Sequence, residues 1–500
     1  MKGSCRSLKK ILILGFLSFS LTSCSWFNFD NEPVQMDEQQ ASEGDGYRKV
    51  TSFTFGLHDV NKNHGCYNLN SVGNASILLV PVETSDGPSW TETMLTNLET
   101  SFFGESNETA WQSVSSFYEQ SSYGKLKITG EVASTLKLNY STKSLASASV
   151  DESGSHPDYV ALDAFTRDST YDELRKKYDT DGDGYIDSIV FMYSNAIDND
   201  NGYWAWVYWS SYTANLNYPN VNSYMWVSYD FIIENKKSSL GHYYAAYGNK
   251  IDGHTIIHET GHLLGLDDYY NSDDSWDPSG ALDMSSNNVG DHSIYSKMVL
   301  GWADPYYVKT DSEVTLTLRT SSTYGDAIII NDNWNGSLMD EYIAIEYYSS
   351  TGLNSFDSAN RYTNGLRMYT TSGFRIYHID SRVVGLGPRE SSSDNFVDDL
   401  SNTKLTYIVG PSNTASYSYL KTHRSDYKLV HLLEAGGKNT FKSEKATATN
   451  ATLFQKGDTF KASKTFFTNG TKFNDGSEVG YEIIIGECSD YKGTITIKKL

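Results

Sequence analysis

Residues 258–270 read HETGHLLGLDDYY. His258 and His262 are four apart, so on a helix their imidazoles leave the same face one turn apart. That spacing lets two nitrogens reach a single zinc ion at about 2.0–2.1 Å. Glu259, beside the first histidine, lies near the metal without being forced into its coordination shell. There it can take a proton from water at the metal. Gly265 permits a backbone turn that most residues resist, after which the chain can deliver Asp268 as a third ligand. With 11 histidines in 500 residues, His-Glu-x-x-His arises by chance in roughly one chain per hundred. The plain alternative is an amphipathic core helix whose histidines are satisfied by hydrogen bonds. His254, four residues earlier on the same face, has no place in the motif and reads as a packing or supporting histidine.

A second cluster lies at DTDGDGYIDSIV, residues 179–190. Asp179, Asp181 and Asp183 alternate as in an EF-hand loop, Gly184 suits the sharp turn, Tyr185 offers a carbonyl and Asp187 follows. The twelfth position is Val190 instead of a bidentate glutamate, so the spacing points to a partial calcium site; the alternative is an ion-free turn. The stretch DDSWDPSGALD has carboxylates without ligand spacing and reads as a solvated loop. YWAWVYWSSY and YMWVSYDFII invite a glycan-binding reading, but alternation at this spacing favours strands with a face in the core. Such a strand beside the zinc helix could form a cleft rim and pair with an extended peptide by strand addition.

These groups need elements to hold them. The zinc helix is expected to run for about four turns, with Asp252 as N-cap and Gly253 and Gly265 bracketing it. ASILLVPVET reads as a buried strand, WTETMLTNLETSFFG and WQSVSSFYEQSS as helices, and YGKLKITGEV as an alternating strand. A helix is expected over YVALDAFTRDSTYDELRKKY, followed by the strand SIVFMYS. From about residue 312 the texture changes to short β-prone runs, among them EVTLTLRT, EYIAIEYY, FRIYHID, YKLVHLLEA and YEIIIGE, as in an all-β unit.

The net charge of −22 argues against nucleic acid, whose phosphates need a basic face. Lys2, Arg6, Lys9 and Lys10 precede ILILGFLSFSL, a run too short for a comfortable transmembrane span. It ends in LTSC, which resembles the lipobox of bacterial lipoproteins; Cys24 would then be lipidated and residues 1–23 removed. Residues 24–50 are polar and acidic and read as a tether. Removing the leader leaves Cys66 and Cys488, which an oxidising compartment would allow to form a disulfide.

HETGHLLGLDD resembles the extended zinc motif of the metzincin metallopeptidases, and Asp268 in the third-ligand position is similar to the M6 family, which includes immune inhibitor A-type peptidases. FYEQSSYGKL, DTDGDGYIDSIVF and YSKMVLGW resemble further segments of that family, and ALDMSS places Met284 where metzincins have their methionine turn. GFRIYHID, VHLLEAGG and LFQKGDTF resemble its later β-rich region. The resemblance implies an α/β (α+β) metzincin-like catalytic domain over 51–310, with a twisted mixed sheet and an active-site helix. A β-rich, sandwich-like C-terminal domain would follow over 311–500. It also implies zinc on His258, His262 and Asp268, Glu259 as general base and Met284 as a structural floor. Ser286 stands where several metzincins have a tyrosine, which leaves Tyr269, Tyr270, His292 and Tyr295 as candidates for the oxyanion donor. The expected protein is a monomeric zinc endopeptidase, also binding calcium, lipid-anchored in the bacterial cell envelope and acting on extracytoplasmic proteins. A non-proteolytic glycan- or protein-binding lipoprotein and a zinc hydrolase of a non-peptide bond are the competing readings.

Overall fold

In the computed structural model, which describes residues 46–146, 157–196, 206–209, 217–233, 250–271, 277–362, 365–386, 395–397, 400, 405–408, 427–441 and 446–500, the run ASILLVPVE lies in the strand Gly73–Glu83. It sits inside a sheet ordered Leu126–Val132, Gly73–Glu83, Ile189–Tyr193, Ser223–Ser228 and Trp206–Trp209, with Leu136–Lys137 also paired to Gly73–Glu83. The pairings are parallel except the last, where Trp206–Trp209 runs antiparallel at the edge. Parallel strands are buried on both faces, hence their continuous apolar runs. Leu78, Val80 and Phe191 face one core with Leu162 and Phe165. Ile77, Leu79 and Met192 alternate to the other face, where they share a core with Phe117, Ile256 and Met284. The leader, Cys24 and the tether up to residue 45 lie outside the described residues.

The β-prone runs after residue 312 form two further sheets. Six strands are ordered Tyr47–Lys49, Tyr306–Val308, Ile328–Ile330, Glu341–Tyr348, Gly373–Asp380 and Val430–Leu433. Four more, Glu313–Arg319, Lys492–Lys499, Tyr481–Cys488 and Thr459–Lys461, form an antiparallel sheet. Glu341–Tyr348 has the period of two that a strand between two cores requires. Ile343, Ile345 and Tyr347 pack with Leu316, Ile483 and Ile495 of the four-stranded sheet, a sandwich-like arrangement. Tyr342, Ala344 and Tyr348 turn the other way, into the core that holds Ile256, Met284 and Trp302. The change in texture near residue 311 is therefore a change in secondary structure; the hydrophobic core runs across it, and Ala41–Leu500 forms one compact unit.

Several expectations need correction. The tether does not extend to residue 50, because Tyr47–Lys49 pairs with Tyr306–Val308 and Val50 N–H donates to Pro305 O at 2.9 Å. YRK is too polar to announce a strand; Arg48 instead lies over the rings of Tyr307 and Trp334. The long helix expected over 159–178 is two, Pro157–Arg167 and Asp172–Lys177, separated by a 3₁₀ turn that Asp168 caps through Thr170 N–H. Cys66 and Cys488 are both free thiols. Burial pushes the Cys66 thiol up to about 11 and also raises that of Cys488, so neither is a ready thiolate.

Candidate metal centre

The helix His254–Leu263 is ten residues long, shorter than expected, and its N-cap is Gly253. It carries His258 and His262 on one face, and each ring is fixed by its own carbonyl. His258 Nδ1 lies 2.7 Å from Met284 O, and His262 Nδ1 lies 2.8 Å from Leu266 O. An Nδ1–H that donates to a carbonyl leaves Nε2 with its lone pair free, the tautomer a metal ligand needs. Leu264 ends the helix, and Gly265 turns the chain with φ +101°. A side chain there would also collide, since a Cβ would lie 2.5 Å from Asn61 Nδ2, which donates to Gly265 O at 3.1 Å.

The turn returns Asp268 to the histidines. His258 Nε2 and His262 Nε2 are 3.2 Å apart, and Asp268 Oδ1 is 3.0 Å from the first and 3.3 Å from the second. A tetrahedral ion with bonds of about 2.0–2.1 Å would hold its ligands roughly 3.3 Å apart, so this triangle has nearly the edge a zinc ion requires. Asp268 Oδ1 is buried and faces the two Nε2 atoms; with both rings neutral and their protons on Nδ1 it receives no hydrogen bond there, which is costly unless a cation sits between them. The donor set of two neutral imidazoles and a carboxylate therefore fits zinc. Burial alone would raise the Asp268 carboxyl, but the facing imidazoles outweigh it and hold it well below the ordinary range. Burial would likewise lower His262; the Asp268 carboxylate outweighs it and pushes the imidazole up to about 10 in the metal-free protein. Glu259, next in sequence to His258, is almost fully buried, and burial raises its carboxyl despite the opposing pull of the two histidines.

The structure separates the candidate oxyanion donors. Tyr269 turns into the core, with its hydroxyl 2.6 Å from Ser296 Oγ. His292 is buried behind the helix, 3.1 Å from Ser285 Oγ and 3.4 Å from Tyr118 Oη, and burial keeps it neutral. Tyr295 is buried in the same core. Ser286 is engaged with Asp277, which also accepts from Ser279 and Asn287; part of the loop expected to be solvated is thus a buried hydrogen-bonded knot. Tyr270 remains. It is partly exposed, burial and the adjoining Asp268 carboxylate keep its phenol protonated, and Glu259 is close enough to add to that effect.

Two supports have partners that the sequence did not show. Asp252 is not the N-cap that was expected; it stands one residue before the cap, and its Oδ1 accepts from His254 N–H at 3.2 Å and lies 2.5 Å from His254 Nδ1. The other ring nitrogen faces Asp357 Oδ2 at 3.3 Å, and the imidazole stacks between Trp111 and Tyr362, at 4.3 and 4.4 Å. Lys297 is buried as well, 2.6 Å from Asp291 Oδ2 and donating to Ser121 O at 3.0 Å.

In the acidic loop, carboxylate oxygens of Asp179, Asp181 and Asp183 lie within 4.8 Å of one another. Asp187 is not in that group; it accepts from Thr180 N–H and Oγ1–H at 3.0 and 2.5 Å. Tyr185 pairs in a short strand, Tyr185–Ile186 with Asn220–Val221, and its ring stacks on Tyr67 at 4.8 Å. In YMWVSYDFII, Tyr224 and Trp226 face one core and Met225 and Val227 the other, so the strand is buried on both faces where one was expected; of YWAWVYWSSY, the residues outside Trp206–Trp209 lie outside the described residues. Comparison with models of known protein families and with curated proteins gives no match for this chain.

Proposed function

We propose that the protein is a zinc-dependent endopeptidase of the metzincin type, with His258, His262 and Asp268 as metal ligands and Glu259 as general base. The observation that carries this reading is the 3.0–3.3 Å triangle of three ligand atoms, each imidazole held by a carbonyl behind it. Zinc bound there would polarise the scissile carbonyl and acidify the attacking water. Glu259 takes the proton of that water and hands it to the leaving nitrogen, and its raised affinity for protons suits both transfers. Tyr270 is the neighbouring donor for the developing oxyanion. The strand Trp206–Trp209 supports a peptide substrate: among the described residues it is an antiparallel sheet edge beside the helix of His258 and His262, where an extended chain can add as a further strand. A glycan platform is less well supported, because the aromatics of Ser223–Ser228 are spent on the core.

The test uses residues 25–500, purified and folded, with zinc content and cleavage of denatured proteins measured together. Zinc is expected at about one ion per chain. Cleavage should stop on chelation and return with added zinc. Folded protein without zinc would overturn the metal reading, and zinc without cleavage would overturn the peptidase reading. No helix among the described residues is long and apolar enough to cross a membrane; the proposed membrane attachment is lipid on Cys24.

Calcium is proposed for the acidic loop, on Asp179, Asp181 and Asp183 with the Tyr185 carbonyl, Asp187 acting from beyond Thr180. Burial raises the Asp183 carboxyl, and its neighbours' like charges add to this, so a cation relieves repulsion as it binds. Calcium at a hundred times its Kd is expected to add roughly 2.7 kcal/mol, a rise of several degrees in Tm. Asp181→Asn should remove most of that rise. An unchanged wild-type Tm across millimolar calcium would dismiss the site.

A further inference from the structure

We propose that Arg375, in the β-rich region, is a positioning residue for the metal centre: it holds the turn whose carbonyl orients His258. The inference rests on the reading of His258 as a zinc ligand. The turn is short and needs holding. Met284 O accepts from His258 Nδ1, and Met284 opens the four-residue helix Met284–Asn287. Such a helix has little stability of its own. Its cap is Asp283, whose two oxygens accept from Ser285 N–H at 2.7 Å and Ser293 N–H at 2.8 Å. Only the ionised carboxylate offers both oxygens freely as acceptors. Asp283 is almost fully buried, and burial favours its neutral form.

Arg375 is the opposing charge. It comes from Gly373–Asp380, on the six-stranded sheet, and is 2 % exposed. Its Nη1 donates to Leu282 O at 3.4 Å, one residue before Asp283, and its positive charge draws the Asp283 carboxyl back down. The guanidinium is itself fixed, paired with Glu346 at 2.8 Å and flanked by the rings of Tyr348 and Tyr377. Tyr377 also donates to Glu346 at 3.1 Å, which holds the carboxylate that the guanidinium pairs with. The path runs from Arg375 through its bond to Leu282 O and the pull of its charge on Asp283, from the Asp283 cap to the Met284 turn, and from the Met284 carbonyl to His258. A strand more than a hundred residues from the zinc motif in sequence thus sets the angle of its first ligand.

The experiment uses full-length mature protein loaded with cobalt(II), whose visible ligand-field bands report the angles at the site, and chelator competition for the zinc Kd. Arg375→Met is expected to weaken zinc roughly 10–100-fold, the range found when the outer partner of a ligand is lost, and to shift the cobalt bands. Arg375→Lys keeps the charge without the fork and serves if the methionine variant does not fold; it should move both readouts in the same direction. Ile345→Ala is the control: it cuts a cavity on the opposite face of the adjacent strand and should lower Tm without moving Kd or bands. A folded Arg375 variant with wild-type Kd and bands overturns the inference, as does an equal shift in Ile345→Ala. Wild-type protein that binds neither zinc nor cobalt overturns the metal reading itself, and the inference with it.

Discussion

Glu259→Gln is expected to lose about 10²–10⁴-fold in kcat while zinc content stays at the wild-type level. The substitution is nearly isosteric and leaves His258, His262 and Asp268 in place, so the ligand triangle of 3.0–3.3 Å persists. What disappears is the carboxylate next in sequence to His258, the proposed proton acceptor. Three of its neighbours are poor substitutes. Asp268 is turned to the histidines and held ionised by them, His292 lies behind the helix, and burial with Asp268 keeps Tyr270 protonated. Tyr270→Phe removes a donor and leaves the base, so it should lower kcat by less and leave the pH dependence on the acid side unchanged. Comparing kcat and zinc content in the same preparations separates the cases. A glutamine variant with wild-type turnover would remove Glu259 from the mechanism, and one that loses its zinc would recast Glu259 as part of the metal's support.

The arrangement of His258, His262 and Asp268 was legible because it is local. His258 and His262 stand one helical turn apart by periodicity alone, and Gly265 announces the turn that returns Asp268, with φ +101° as observed. The strands were legible as short β-prone runs, but that Ile343 and Ile345 face one core and Ala344 the other was not. What sequence could not carry is partnership over distance. Asp357 is 103 residues from His254, and no spacing rule links them. Nor does any rule link Arg375 to the turn at Leu282. Backbone acceptors leave no trace either: the methionine of ALDMSS was visible, but not that its carbonyl, 2.7 Å from His258 Nδ1, is what touches the ligand. That one hydrophobic core crosses the boundary expected at residue 311 was hidden for a related reason. A strand's alternation shows that it has two faces without showing that one of them, here Tyr342 and Tyr348, is packed into the core that holds Ile256 and Met284.

Stability is expected to fall as pH rises from about 6.5 to about 10, and His254 is the cause to test. Burial by itself would lower this imidazole, but Asp252 and Asp357 outweigh it and push it up to about 10. The unfolded chain returns it to the ordinary value near 6.5. A folded-state value above the unfolded one means that the folded protein holds the proton more tightly. The resulting stabilisation is complete below pH 6.5 and drains away as pH climbs through the folded value. Within that window the slope is at most roughly 1.4 kcal/mol per pH unit. Measuring urea unfolding with saturating zinc keeps His262 liganded, so that its own proton does not enter the slope. His254→Gln should flatten the pH dependence and also cost about 3–5 kcal/mol at pH 6.5, because it leaves two buried carboxylates without their cation. Asp357→Asn should keep part of the slope, since Asp252 still lies 2.5 Å from His254 Nδ1. If wild type and His254→Gln lose stability in parallel across the window, the imidazole is neutral in the folded protein. The helix that carries His258 and His262 would then be anchored at its first turn by stacking between Trp111 and Tyr362 and not by charge.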